Sequence, residues 1–157
     1  MSFLNLILVR HAEAESNGHT DHARILTPAG RQRAAISGKL ISQKFKEIDL
    51  AIISDAARTK ETFLELKSAI QTIRVVFESR LYSANTPADL KQIVSEHIGQ
   101  GESTVMLIGH NPIISTFASY MSGDFFAFAP ADFAILRMEA DHWLNALEMT
   151  SMWEHTT

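Results

Sequence analysis

The feature that most constrains this sequence is a short apolar run near its start that ends abruptly in charge. Residues Phe3 to Val9 are almost all apolar, and Arg10 and His11 follow directly. A run of this length and composition is typical of a strand that is buried on both faces of a parallel sheet. A second such run, Thr104 to Ile108, ends at Gly109 and His110. The two runs predict an α/β fold with a parallel sheet.

Segments with helical and strand patterns alternate along the chain. Thr27 followed by Pro28, and Thr86 followed by Pro87, are helix starts with an N-cap and a proline in the first turn, while Ser54 or Asp55 is the candidate cap of a third helix. Besides the two runs, the sequence predicts helices from Pro28 to about Phe45, Ala56 to Ala69, Pro87 to Ile98 and Pro112 to Met121, and strands over Leu50–Ile53 and Ile73–Phe77.

The C-terminal part reads as two further strands. Phe133 to Met138 and Trp143 to Met149 are rich in apolar residues, with a polar turn around Asp141 between them, so we expect a β-hairpin. The chain of 157 residues has the length of one compact domain, spanning residues 1–157. The predicted fold is a three-layer α/β/α sandwich with a mostly parallel open sheet and a C-terminal β-hairpin.

Composition excludes several classes of function. The formal charge of -4 and the pI near 5.9 argue against nucleic acid or an anionic membrane as a partner, since both require clustered basic residues. The absence of cysteine excludes disulfides, thiolate metal sites and cysteine nucleophiles. No apolar stretch is long enough to span a bilayer, and the N-terminus lacks a basic leader, so we expect a cytoplasmic protein.

Two histidines and two arginines are predicted to meet at one edge of the sheet. In open α/β sheets the ligand crevice lies beyond the carboxyl ends of the strands. Arg10 and His11 follow one strand, His110 follows another, and Arg58 lies where a third passes into its helix. These side chains would form an anion pocket, to which the helix starts after Asp55 and Pro112 would add backbone donors.

The residue types of this pocket suit chemistry on a phosphoryl group. Guanidinium groups meet anionic oxygens with paired donors and stay charged at any working pH. Their charge also disfavours protonation of a neighbouring imidazole, so His11 would keep a lone pair for attack on phosphorus. A second imidazole, that of His110, would donate hydrogen bonds to the transferring group.

Three sequence blocks resemble the histidine phosphatase superfamily, whose members are phosphoglycerate mutase-like. They are Leu8 to Ala14, Ser54 to Thr62, and Gly109 to Pro112, in the family's order. The short chain, the segment Arg24 to Gly30 and the pair Leu81-Tyr82 make the sequence similar to the SixA branch of small phosphohistidine phosphatases.

The resemblance implies a role for each residue of the pocket. His11 would carry a covalent phosphoryl intermediate, and Arg10, Arg58 and His110 would hold the phosphate. Arg24, which precedes the Leu26-Thr27 segment, would lie near the pocket as well. No cofactor or metal ion is implied.

The proton donor is the unassigned part of the expected site. Larger members of the family carry an inserted segment with an acidic residue, and no such insertion lies between Arg58 and His110. Glu78 and Asp21 are the candidate acids, although each also fits a solvated surface carboxylate. Because an imidazole leaves without a strong acid more easily than an alkoxide, the gap favours a phosphoramidate substrate.

Two other features have competing interpretations. His11, His19 and His22 with Asp21 could form a metal cluster, but their spacing matches no rigid ligand pattern and two arginines would repel a cation. We expect this loop to be a flap over the pocket, with His19 or His22 either touching substrate or simply exposed.

The segment Phe125 to Phe128 is either core or an apolar rim that docks a protein substrate.

The sequence therefore predicts a metal-independent, cofactor-free phosphatase that acts in signal transduction. Its substrate would be phosphohistidine on a carrier or phosphorelay protein, hydrolysed through phospho-His11. The alternatives are a phosphatase of small phosphomonoesters, a phosphomutase, and a non-catalytic module that binds phosphate.

Overall fold

A central sheet of six strands organises the molecule in the computed structural model, which describes residues 2–99 and 101–156. The strands are β1 (Ser2–Arg10), β2 (Glu47–Ile53), β3 (Gln71–Phe77), β4 (Thr104–Gly109), β5 (Phe133–Ala140) and β6 (Glu154–Thr156). Their order is β3-β2-β4-β1-β5-β6. Neighbouring strands among β3, β2, β4 and β1 pair in parallel, whereas β5 is antiparallel to β1 and β6 is antiparallel to β5. The predicted mostly parallel, open α/β sheet is confirmed.

Helices cover both faces of this sheet. They are α1 (Pro28–Ser42), α2 (Ala57–Leu66), α3 (Arg80–Ser83), α4 (Pro87–His97), α5 (Ile113–Ser122) and α6 (Trp143–Glu148). One core cluster joins the sheet to α1 and α2, and a second joins it to α3, α4, α5 and α6. No helix within residues 2–99 and 101–156 is long and apolar enough to span a membrane.

Strand β1 shows why its sequence reads as a continuous apolar run. Leu6 and Leu8 enter one core cluster, whereas Ile7 and Val9 enter the other. Successive side chains of a strand point to opposite faces, so a strand covered on both faces needs apolar residues at every position.

Two of the three predicted caps are present. The Thr27 hydroxyl accepts from the backbone N–H of Gly30 (2.9 Å), and Thr86 forms a reciprocal capping box with Asp89. Helix α2 has no side-chain cap, so the prediction of Ser54 or Asp55 as its cap is wrong. Both side chains instead bind histidines, as described below.

The predicted C-terminal hairpin is only partly right. Strand β5 forms as expected, but Trp143–Glu148 is helix α6, and the C-terminal strand that pairs with the outer edge of β5 is Glu154–Thr156. Trp143, Ala146 and Leu147 recur at helical spacing and are buried against the second core cluster, so a helix buries them together where a strand would not. The short helix α3 was not predicted.

Candidate active site

The two histidines of the expected site follow neighbouring strands. Arg10 at the end of β1 is the register partner of Gly109 at the end of β4, so His11 and His110 leave the sheet side by side. Their ring centroids are 5.3 Å apart, with the ring planes inclined by 57°. The structure thus brings the two histidines together at the carboxyl edge of the sheet.

The hydrogen bonds of His11 define which nitrogen carries its lone pair. Nδ1 of His11 lies 2.7 Å from the carbonyl oxygen of Ala12, which can only accept, so Nδ1 carries the proton. The lone pair is therefore on Nε2, to which Nε–H of Arg58 donates over 3.3 Å. The backbone behind the ring is fixed, because N–H of Ala12 donates to the Thr62 hydroxyl (3.0 Å).

The environment keeps His11 neutral. Burial, with the charges of Arg58, Arg10 and Arg24, lowers the pKa of His11 to about 4 despite the opposing bond to the Ala12 carbonyl. At neutral pH the imidazole is uncharged, and Nε2 keeps a lone pair that is available for attack on an electrophile.

His110 is a buried, neutral imidazole with one unpaired nitrogen. Burial lowers its pKa to about 3, and the charges of His11 and Arg58 act in the same direction. Its Nε2 is hydrogen-bonded to the Ser54 hydroxyl (2.7 Å), while Nδ1 has no hydrogen-bond partner in the described chain. When the Ser54 hydroxyl donates to Nε2, the ring proton is on Nδ1 and is available to a phosphoryl oxygen.

The arginines bring positive charge to the same place. Arg58 is buried, and its two terminal nitrogens donate to the backbone carbonyl (2.8 Å) and the carboxylate (3.0 Å) of Asp21. Arg10 donates from NH1 to the carbonyl of Phe128 (2.8 Å), and its buried Nε is without a partner within residues 2–99 and 101–156. The charge of Arg10 acts on His11, so both arginines contribute to a positive potential at this ring.

The Asp21 carboxylate accepts hydrogen bonds from three side chains. It accepts from the Tyr82 hydroxyl (2.6 Å), from Arg24 (2.8 Å) and from Arg58 (3.0 Å). These bonds, that of Tyr82 foremost, hold the pKa of Asp21 well below its usual range. Asp21 is therefore an ionised carboxylate, which argues against its role as a proton donor.

Glu78 lies in a separate ion-pair cluster. Its carboxylate accepts from Arg80 (2.8 Å) and from His97 (2.8 Å). The bond from Arg80, assisted by that from His97, lowers the pKa of Glu78 to about 2 in spite of its burial. Like Asp21, Glu78 is unsuited to deliver a proton.

Tyr82 lies between His110 and His22, and the sequence did not assign a role to Tyr82. The Tyr82 ring meets His110 edge-on (5.4 Å between centroids) and His22 edge-on (4.9 Å). His22 in turn donates from Nε2 to the carboxylate of Asp55 (2.9 Å). These contacts join residues that are far apart in the chain, so local patterns carried no signal for them.

The side chains of His19, Asp21 and His22, which were considered as metal ligands, do not point to one place. His22 binds Asp55, Asp21 binds guanidinium and phenol donors, and His19 is exposed. In the described ranges, no group of three or more His, Cys, Asp or Glu side chains is placed to hold a metal ion.

The aromatic segment after α5 divides between the two roles considered for it. Phe128 is buried in the core, Phe126 is partly buried, and Phe125 is 88% exposed. The backbone of this segment is held by α5, because N–H of Phe126 donates to the Ser119 hydroxyl (2.9 Å).

Comparison with known proteins agrees with this geometry. The chain is 24% identical over 129 residues to a phosphohistidine phosphatase SixA homolog of Haemophilus influenzae, covering 76% of this chain and 78% of the relative. A solved structure from Nakamurella multipartitia, assigned as a phosphohistidine phosphatase SixA, superposes with a TM-score of 0.85 at 25% identity, covering 100% and 95% of the two chains. A similarly assigned structure from Agrobacterium tumefaciens gives a TM-score of 0.74 at 28% identity, covering 85% and 90%.

A family model confirms the resemblance seen in the sequence blocks. The model of the histidine phosphatase superfamily (branch 1) matches residues 6–86, a segment that contains His11 and Arg58 and amounts to a little over half of the chain. The protein belongs to the histidine phosphatase superfamily, and its fold is that of the SixA-type structures.

Proposed function

We propose that this protein hydrolyses phosphohistidine on a partner protein through a covalent phospho-His11 intermediate. The observation that carries the proposal is the state of His11: a neutral imidazole with its lone pair on Nε2, held among Arg10, Arg58 and His110. A nucleophile in a cationic pocket is the arrangement that phosphoryl transfer requires.

In the first half-reaction the phosphoryl group enters among the arginines. Nε–H of Arg58, which covers Nε2 of His11 at rest, turns to a phosphoryl oxygen and frees the lone pair. Nε2 then forms a bond to phosphorus as the bond from phosphorus to the leaving nitrogen breaks. Unpaired donors on Arg10 and His110 stabilise the charge of the transferring group.

In the second half-reaction water attacks the phosphorus of phospho-His11. The bond from phosphorus to Nε2 breaks, and inorganic phosphate leaves. The hydrogen bond from Nδ1 to the Ala12 carbonyl stabilises the cationic phosphoimidazole, and it holds the ring in place throughout.

The site chemistry and the relatives support phosphohistidine as the substrate. Asp21 and Glu78 are held ionised, so neither offers the strong acid that an alkoxide leaving group requires. An imidazole leaves more readily than an alkoxide. The relatives described above bear the name phosphohistidine phosphatase SixA.

The test measures phosphate release from a phosphohistidine-bearing carrier protein in the presence of a metal chelator. We expect turnover by the wild type, loss of turnover in His11→Ala, and a ³²P-labelled enzyme that is stable to base and labile to acid. His19→Ala is the matched control, since His19 is an exposed histidine of the neighbouring loop.

Each alternative predicts a different result. Hydrolysis of small phosphomonoesters without phosphohistidine turnover would replace the substrate assignment. Saturable phosphate binding without any phosphate release would identify a non-catalytic module. Activity retained by His11→Ala would refute the covalent intermediate.

A further inference from the structure

His22 and Asp55 form a histidine–carboxylate pair beside Tyr82. Nε2–H of His22 donates to Oδ1 of Asp55 over 2.9 Å, and no described residue hydrogen-bonds Nδ1 of His22. Both side chains are partly exposed, at 43% for His22 and 34% for Asp55. A carboxylate that orients one ring nitrogen while the other stays free is the arrangement of a general acid–base histidine.

The pair is anchored beside the catalytic histidines. The backbone carbonyl of His22 accepts from N–H of Ala57 at the start of α2 (3.0 Å), the helix that also carries Arg58. The His22 ring contacts Tyr82, whose ring in turn contacts His110. His22 is thus partly exposed and is separated from His110 by the Tyr82 ring, a position from which it can face a substrate bound at the two histidines.

We propose that His22 is the acid–base residue of the reaction, oriented by Asp55, and that it serves a leaving imidazole. This assignment rests on the proposed function. Imidazole is the side chain that exchanges protons near neutral pH. The hydrogen bond from Nε2–H to the Asp55 carboxylate fixes the orientation of the His22 ring.

His22 gives up one proton in the first half-reaction and regains one in the second. Nδ1–H of protonated His22 gives its proton to the unphosphorylated ring nitrogen of the substrate. The electron pair of the breaking P–N bond stays on the leaving nitrogen, so the substrate departs as neutral imidazole while Nε2 of His11 binds phosphorus. In the second half-reaction Nδ1 of His22 takes a proton from the attacking water, and hydrogen phosphate and neutral His11 are formed.

Two small substrates separate this role from a structural one. Phosphoimidazole needs a proton on its second nitrogen before the ring leaves as neutral imidazole. In 1-methyl-3-phosphoimidazolium that nitrogen is methylated and the ring already carries its positive charge, so no acid is needed. Phosphoenzyme formation is measured with each compound in single-turnover, rapid-quench experiments near neutral pH.

We expect His22→Gln to slow phosphoenzyme formation from phosphoimidazole by about 100-fold, the usual contribution of a general acid. Formation from the methylated compound should change by less than about 3-fold, and the phosphoenzyme should then accumulate because its base is missing. Added imidazole should restore part of the activity of His22→Ala. The matched control, His19→Gln, should behave as the wild type with both compounds.

The possible failures are distinguishable. Equal slowing of the two compounds by His22→Gln, or no slowing of either, would refute the acid role of His22 and leave the proposed function standing. A wild type that fails to turn over phosphoimidazole and phosphohistidine protein, yet hydrolyses monoesters, would overturn the proposed function and this assignment with it.

Discussion

Ser54 provides a direct test of how His110 is held. Its hydroxyl is fully buried and lies 2.7 Å from Nε2 of His110, and the other ring nitrogen has no partner in the described ranges. In Ser54→Ala the His110 ring loses this bond inside the protein. Leaving a buried polar group unpaired costs about 1–3 kcal/mol. We expect the free energy of unfolding to fall by about this amount.

The same change should reduce catalysis. A ring released from Ser54 no longer presents Nδ1–H to the phosphoryl group. If the whole cost is felt in the transition state, single-turnover phosphoenzyme formation slows by about 5-fold to 150-fold, at 1.36 kcal/mol per decade. The assays are urea unfolding and rapid-quench kinetics on the same preparations.

A second buried serine is the matched control. The Ser122 hydroxyl at the end of α5 donates to the carbonyl of Ala118 (2.7 Å), a buried bond of the same length in which neither partner contacts the histidines of the site. Ser122→Ala should cost similar stability and leave the rate unchanged. A Ser54→Ala enzyme with the wild-type rate would refute the idea that this hydroxyl orients His110.

Two further predictions concern charge. Asp21→Asn should tighten the binding of inorganic phosphate by up to about 5-fold in calorimetry, because the half-exposed Asp21 carboxylate no longer competes for Arg58 through an ion pair of ~1 kcal/mol; weaker binding would contradict this reading. The pKa values of His11 and His110 are lowered from 6.5 to about 4 and about 3, so below about pH 6.5 the unfolded chain takes up protons that the folded protein does not, and stability should fall from there toward pH 4. His110→Asn should flatten that fall in thermal melts, and an unchanged slope would show that other groups cause it.

Local patterns were sufficient where a segment's neighbours along the chain set its structure. The Thr27 and Thr86 caps bind backbone donors within the same turn, so their residue types predicted the starts of α1 and α4 correctly. The prediction of a strand at α6 is wrong because a short apolar segment has no decisive period, and packing against α4 and β5 selects the helix.

The apolar runs of the sequence are enough to predict the sheet and the edge on which the site is built. Apolar runs that must be buried on both faces end at Arg10-His11 and at Gly109-His110, and parallel strands bring their carboxyl ends to one edge. The partner of each polar side chain, in contrast, is set by the packing of the folded chain. Ser54 reaches His110, and His22 reaches Asp55, across 56 and 33 positions of the chain. Such pairings depend on how separate loops pack at the same edge of the sheet. A local sequence pattern spans only a few residues and therefore cannot predict them.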